Sequence, residues 1–183
     1  MRATDNRYAN EQRQFQLAIR MIGHEARTRT IRECTGLSDD RIRKIFSTYF
    51  KPGSSVRRRR GKSPRQVSRF VKSAEHRLQS TTLVALFCAG RLIRLGEDNR
   101  VHPRWPRLDI ESGHRLCRAF ETYKLLHNPH LFSFEWACNL LLSICYNDEL
   151  YLATCKSCGS AYVEDAYALP SGHCPCCEVT GAC

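Results

Sequence analysis

The sequence predicts a mainly α-helical protein that carries a small cysteine-rich module at its C-terminal end. Apolar residues recur at helical spacing through most of the 183-residue chain, and six of its eleven cysteines crowd into residues 155–183. Such a length suits one ordinary domain or two small ones that together bury about 70 % of their unfolded surface. No disulfide is needed to hold a core of that size.

Phe15, Ala18, Ile19, Ile22 and Ala26 share one helical face and place a first amphipathic helix over residues 11–26. A short second helix covers 27–34, followed by a tight turn at Thr35-Gly36-Leu37. Ser38 is placed to cap a third helix, whose first turn carries Asp39 and Asp40 at the positive end of the helix dipole. Ile42, Ile45, Phe46 and Tyr49 share the inner face of that helix, and Lys51-Pro52-Gly53 stops it. Residues 51–65 read as a linker or arm, because four consecutive arginines among prolines and serines repel one another and leave no face to bury.

From Gln66 the pattern is helical again, and residues 81–96 are apolar nearly all round as far as Arg91, with Gly96 as the expected C-cap. A helix of that kind belongs at the centre of a core or in an interface with another chain. Residues 102–109, with two prolines, read as a loop. Leu116, Phe120, Tyr123 and His127 mark a further helix ended by Asn128-Pro129, and Ala137, Leu140, Leu141, Ile144 and Cys145 mark a last one. Between the two cysteine turns the pattern of Tyr162, Val163, Tyr167 and Leu169 predicts short strands around Pro170-Ser171-Gly172. Four regions follow: 1–50 helix-turn-helix-like, 51–65 basic arm, 66–150 central helices for a partner, and 151–183 the cysteine module. There is no internal repeat.

Composition excludes several classes of function. The longest apolar stretch, residues 83–90, is far below the ~20 residues a bilayer demands, and the polar opening lacks the apolar core of a secretion signal. A cytoplasmic protein with no membrane association is expected. The net charge of +11 is lopsided: residues 1–72 carry +13 and residues 73–183 carry −2. The first half therefore reads as a polyanion binder, double-stranded DNA being the expected partner, with a merely solvated surface as the plainer reading. No basic amphipathic stretch has the bulky anchors a lipid surface requires.

An odd number of cysteines without a secretion signal argues for reduced or metal-bound thiols. Cys34, Cys88, Cys117, Cys138 and Cys145 sit singly in apolar helical patterns, as small buried hydrophobes do. The sharper signal is Cys155-Lys-Ser-Cys158, fifteen residues, then Cys174-Pro-Cys-Cys177. Two-residue gaps let both thiolates of a turn face one ion, and two such turns complete a closed tetrahedron. The expectation is one structural Zn²⁺ per chain in a zinc-ribbon-like module, held by Cys155, Cys158, Cys174 and Cys177; reduced bystander cysteines are the alternative. Gly159 can adopt positive φ and turn its N–H toward sulfur. Cys176 and Cys183 are spare thiols.

Catalytic schemes find no support. His24-Glu25-Ala-Arg-Thr28 opens like H-E-x-x-H but has threonine where the second ligand must stand, and neither a His-x-Glu nor a Gly-rich phosphate loop is present. The expected protein is not an enzyme. Residues 27–49 resemble a helix-turn-helix, with Arg41, Arg43 and Lys44 on the outer face of the third helix for a DNA groove. Arg32, four residues before Gly36, is bulky for a close helix crossing, so an ordinary helical hairpin stays open. Arg57, Arg58, Arg59 and Arg60 suit phosphates or a narrow minor groove.

The stretch FQLAIRMIGHEARTRTIRECTGLSDDRIRKIF at 15–46, the segment LVALFCAGRLI, and LYLATCKSCGSAYV followed by SGHCPCC together resemble a known family. It is that of the bacterial flagellar master-regulator subunit FlhC, whose relatives include activators carried on conjugative mobile elements. The resemblance implies that Cys155, Cys158, Cys174 and Cys177 take the family's zinc-ligand positions. It also implies a hetero-oligomer of heterohexamer type with an FlhD-like subunit, which binds promoters of flagellar or conjugative-transfer genes and recruits RNA polymerase. A DNA-binding transcriptional activator subunit is thus the expectation. The rivals are an RNA-binding or ribosome-associated zinc-ribbon protein, disfavoured because no aromatics interleave with the basic run, and a thiol-based redox sensor acting through Cys176 or Cys183.

Overall fold

The computed structural model describes residues 2–50, 55–59, 61, 66–146 and 149–180. These form seven α-helices and two antiparallel hairpins, a mainly helical protein as the periodicity predicts. The chain divides into two compact units. One comprises residues 1–63 with 105–117, the other 64–104 with 118–183. The sequence reading cuts the chain at 50, 65 and 150, whereas this grouping joins the cysteine module to the central helices.

In the first unit α1 (Arg2–Gly23), α2 (Thr28–Thr35) and α3 (Asp39–Tyr49) pack pairwise. Leu17, Ala18, Met21 and Ile22 of α1 bury against Ile31 and Cys34 of α2 and Ile42 and Ile45 of α3. Helix α1 starts nine residues before the expected position, because its first turns are largely polar and carry no apolar stripe to mark them. It ends three residues early in a Schellman turn: Ala26 N–H donates to Met21 O and Glu25 N–H to Ile22 O, with Glu25 at φ +58°. Ala26 is buried beyond the helix end, so its apolar position extended the pattern. Gly36, at φ +72°, closes α2 by donating its N–H to Arg32 O, and Ser38 Oγ accepts the Arg41 N–H at the start of α3.

The first turns of α5 (Ile110–Leu126) belong to this unit because Gly113 lets them approach. A Cβ at Gly113 would stand 2.7 Å from Leu17 Cδ2 and 3.1 Å from Cys34 Cβ. Asp109 and Ser112 cap that helix reciprocally, each backbone N–H donating to the other's side-chain oxygen at 2.7 and 2.8 Å.

In the second unit a 3₁₀ turn (Val67–Val71) precedes α4 (Ala74–Ala89), whose N-cap Ser73 accepts the His76 N–H. The apolar run expected to reach Gly96 as one helix stops at Ala89. Leu92 N–H donates to Phe87 O and Arg91 N–H to Cys88 O, a second Schellman turn, with Arg91 at φ +56°. Beyond it Leu92 and Ile93 are buried, and β1 (Ile93–Leu95) pairs with β2 (Val101–Pro103). Gly96 lies in the turn of that hairpin, with its N–H on Arg100 O, and part of the expected loop at 102–109 is strand. β-Branched Ile93 and the turn residues past it favour a hairpin over further helix.

Much of the apolar surface of α4 is covered by this chain itself, although Ala85 and Ala89 stay exposed. The 3₁₀ turn, β1, α6 (Phe134–Tyr146), β4 (Ala161–Asp165) and α7 (Pro175–Thr180) all pack on it, and Leu83, Val84 and Phe87 are buried. Tyr123 of α5 is fully buried and accepts the Leu131 and Phe132 N–H groups on its hydroxyl, which also donates to Gln79 of α4. No described helix is long and apolar enough to cross a membrane.

Arg91 occupies a left-handed position where glycine has no Cβ penalty, and its side chain is exposed. Arg91→Gly is expected to stabilise the second unit by about 1 kcal/mol, a rise of a few degrees in Tm. A fall in Tm in a thermal melt would show that the arginine side chain itself holds the turn.

Candidate metal centre and candidate nucleic-acid interface

β3 (Leu150–Thr154) and β4 pair antiparallel from Leu150↔Asp165 to Thr154↔Ala161, and the first cysteine turn sits at their tip. The strands thus flank Cys155–Cys158 and do not surround Pro170 as expected. Tyr167 and Leu169 are 82 % and 95 % exposed, leaving their apolar positions without a sheet to join, and Pro170 has no N–H for a ladder. At the tip, Cys155 N–H donates to Ser160 O and Gly159 N–H to Cys155 O. Gly159 does adopt φ +73°, but its N–H closes the turn on a carbonyl and not on sulfur.

The second cysteine pair opens a helix. Cys174 stands at the N-cap of α7, its carbonyl accepting the Glu178 N–H and its Sγ accepting the Cys177 N–H at 3.4 Å. Pro175 at the first helical position needs no N–H partner there. Three residues along a helical turn bring Cys177 to the face of Cys174, whereas Cys176 points outward and is exposed.

The four predicted ligands converge. Their sulfurs all lie within 4.8 Å of one another, with 3.7 Å for Cys155–Cys177, 3.7 Å for Cys158–Cys174 and 3.4 Å for Cys174–Cys177. Sulfurs placed ~2.3 Å from a tetrahedral ion stand about 3.8 Å apart, so the cluster has the size of a four-thiolate site. The surrounding N–H groups favour thiolates. The Cys174 N–H at 3.2 Å, aided by those of Cys158 and Ser157 and opposed by burial, brings the Cys155 thiol down to about 5. The Ser160 hydroxyl and N–H lower Cys158, while burial raises Cys174. Four soft donors with no open position suit a structural ion such as zinc. His173 stays outside the cluster, its Nδ1 paired with Ser157 Oγ at 2.9 Å.

The other cysteines behave as hydrophobes. Cys34, Cys117 and Cys138 are buried, and burial, with the Cys88 thiol nearby, pushes Cys145 up to about 12. Cys183 lies outside the described residues.

A feature that sequence reasoning missed fastens the module to α4. Arg77, 11 % exposed, reaches Glu164 Oε1 of β4 at 3.4 Å and also pairs with Glu178 of α7. Glu164, itself buried, further accepts from the Tyr162 hydroxyl at 2.8 Å and the Ser171 N–H at 3.2 Å. Thr81 Oγ1 of α4 accepts the Val163 N–H at 3.0 Å. Charged residues spaced this far apart carry no local pattern, so nothing in the sequence signalled it.

The basic residues belong to the first unit, whose sequence holds 18 Lys and Arg against 8 Asp and Glu, net +10. On α3, Arg41, Arg43 and Lys44 are exposed as expected. Arg43 pairs with Asp40 at 2.6 Å, while Arg41 and Lys44 have no carboxylate partner among the described residues. Arg32 faces solvent and pairs with Asp39 at 3.4 Å, so it does not obstruct the helix crossing. Both acids at the start of α3 are thereby paired with arginines. Residues 57–59 of the arm are held on the helices: Arg57 N–H donates to Glu25 Oε1 at 3.0 Å, Arg59 Nε to Glu25 Oε2 at 2.7 Å, and Arg58 reaches Thr28 Oγ1 at 3.4 Å. Arg60 lies outside the described residues.

No family model matches the chain, and no curated protein matches it in sequence.

Proposed function

We propose that this protein is a non-enzymatic, DNA-binding transcriptional activator subunit of FlhC type, with one Zn²⁺ in its four-cysteine site. The observation that carries the reading is the α2–Gly36–α3 pair, which presents the exposed Arg41 and Lys44 on a unit of net +10. A three-helix cluster with a capped, basic third helix has the parts of a groove reader, and phosphate attraction supplies most of the affinity of such modules. The FlhD-like partner, RNA polymerase and flagellar or conjugative promoters follow from the sequence resemblance. Leu125 and Leu126 at the end of α5, 85 % and 60 % exposed, offer such a partner apolar surface.

The test is a salt titration of binding to a selected duplex, its scrambled version and a structured RNA, followed by anisotropy. If Arg41 or Arg43 is bidentate to guanine, its replacement by alanine should cost about 1–3 kcal/mol on the selected duplex and relax one base pair. Arg57→Ala and Arg58→Ala should each reduce the salt slope by up to ~0.9 without changing discrimination. Unchanged discrimination in both helix variants, or preference for the RNA, would overturn the assignment.

A further inference from the structure

The sequence marks His24-Glu25 only as a failed metal motif, yet both carboxylate oxygens of Glu25 are engaged. It occupies the left-handed residue of the turn that ends α1, a position where a side chain is strained and glycine is preferred. From there both of its oxygens reach across 32 and 34 residues of sequence to the arm, one to the Arg57 N–H and one to Arg59 Nε. Burial works against its charge, but Arg57 and Arg59 outweigh that and hold the carboxyl below its usual range. Arg57 and Arg58 join Glu25 and Thr28 around a small crevice whose apolar walls are Ile22, Ala26, Ile31, Ile42 and Phe46. The Arg58 guanidinium turns inward to Thr28 Oγ1, whereas the Arg57 side chain is exposed.

We infer that Glu25 is a positioning residue for nucleic-acid binding: it clasps residues 57–59 onto the three-helix cluster so that the arm meets a duplex already in place. The inference rests on the DNA-binding reading above. The clasp uses a main-chain N–H and a single Nε. The exposed Arg57 side chain and the outer nitrogens of Arg59 are left for phosphates. An arm held in this way loses little conformational freedom on binding, whereas a loose one must be ordered at that moment. Charge alone argues the opposite outcome. Removing a carboxylate beside the arm raises the net charge by one, and that by itself strengthens binding to a polyanion and steepens its salt dependence by up to ~0.9.

The two effects have opposite signs, so the experiment decides between them. Full-length wild type, Glu25→Gln and Glu25→Gly are compared by trypsin cleavage after Arg57–Arg59, followed by mass spectrometry, and by anisotropy of a fluorescent duplex across a salt series. Glu25→Gly relieves the left-handed strain, so it keeps the α1 turn and guards against a result due to misfolding. The expected result is cleavage of the arm at least ~10-fold faster in both variants, with duplex affinity lowered several-fold despite the added charge. Faster cleavage with equal or tighter duplex binding would overturn the positioning role while leaving the DNA reading intact. Unchanged cleavage would overturn the clasp itself. A wild type whose arm is protected but which binds no duplex would remove the DNA reading, and this role with it.

Discussion

Cys158→Ser is expected to abolish metal binding and unfold the cysteine module, and wild type is expected to carry close to one Zn²⁺ per chain. The replacement removes one of four sulfurs that converge within 4.8 Å, and a serine hydroxyl is a far weaker ligand for a soft ion. Structural zinc contributes on the order of 10 kcal/mol to a small module, more than the whole stability of an ordinary domain. The first turn and the second are separate elements, a hairpin tip and a helix N-terminus, and an ion bound to all four sulfurs would tie them together. Metal analysis and hydrogen exchange of the purified protein check this. Cys158→Ser should lose both its zinc and the amide protection of residues 150–178, while Cys176→Ser should keep them, since Cys176 lies outside the cluster. Zinc near zero in reduced, chelator-free wild type, or undiminished zinc in Cys158→Ser, would remove the assignment.

Arg77→Met should destabilise the second unit by about 3–5 kcal/mol, because it strands the buried Glu164 carboxylate without its counter-ion. Glu164 would keep only the Tyr162 hydroxyl and the Ser171 N–H, and Glu178 would lose its partner as well. Methionine fills much of the arginine stem's volume, so the loss reports the charge and not a cavity. Adding Glu164→Gln removes the stranded charge and should recover a large part of the stability, the signature of coupling in a double-mutant cycle. Urea unfolding of the four proteins gives the answer. A loss below about 1 kcal/mol in Arg77→Met, or no recovery in the double variant, would mean that the module is held by apolar contact with α4 alone.

Local chemistry explains what was legible from residues alone. The four clustered cysteines could be named because a Cys-x-x-Cys turn positions its own thiolates, and the α2–turn–α3 elements because Gly36 and Ser38 act on neighbouring backbone groups. The apolar stripe of α3 appeared for the same reason, though Tyr49 is left 54 % exposed, with its ring edge on Phe15. Element ends were harder. Schellman turns at Glu25 and Arg91 use charged residues where glycine would have signalled a stop, so periodicity overran both.

The sequence by itself determined the helical class, the four sulfur donors and the concentration of charge in the first unit, since each follows from spacing or composition. Only the tertiary structure decided the pairings of Glu25 with the arm, of Arg77 with Glu164 and Glu178, and of Gly113 with Leu17 and Cys34. Each joins residues far apart along the chain, and the strength of a carboxylate–guanidinium contact or a Cβ-free approach depends on how deeply both sides are buried. That burial is a property of the packed chain, and no local pattern of residues encodes it.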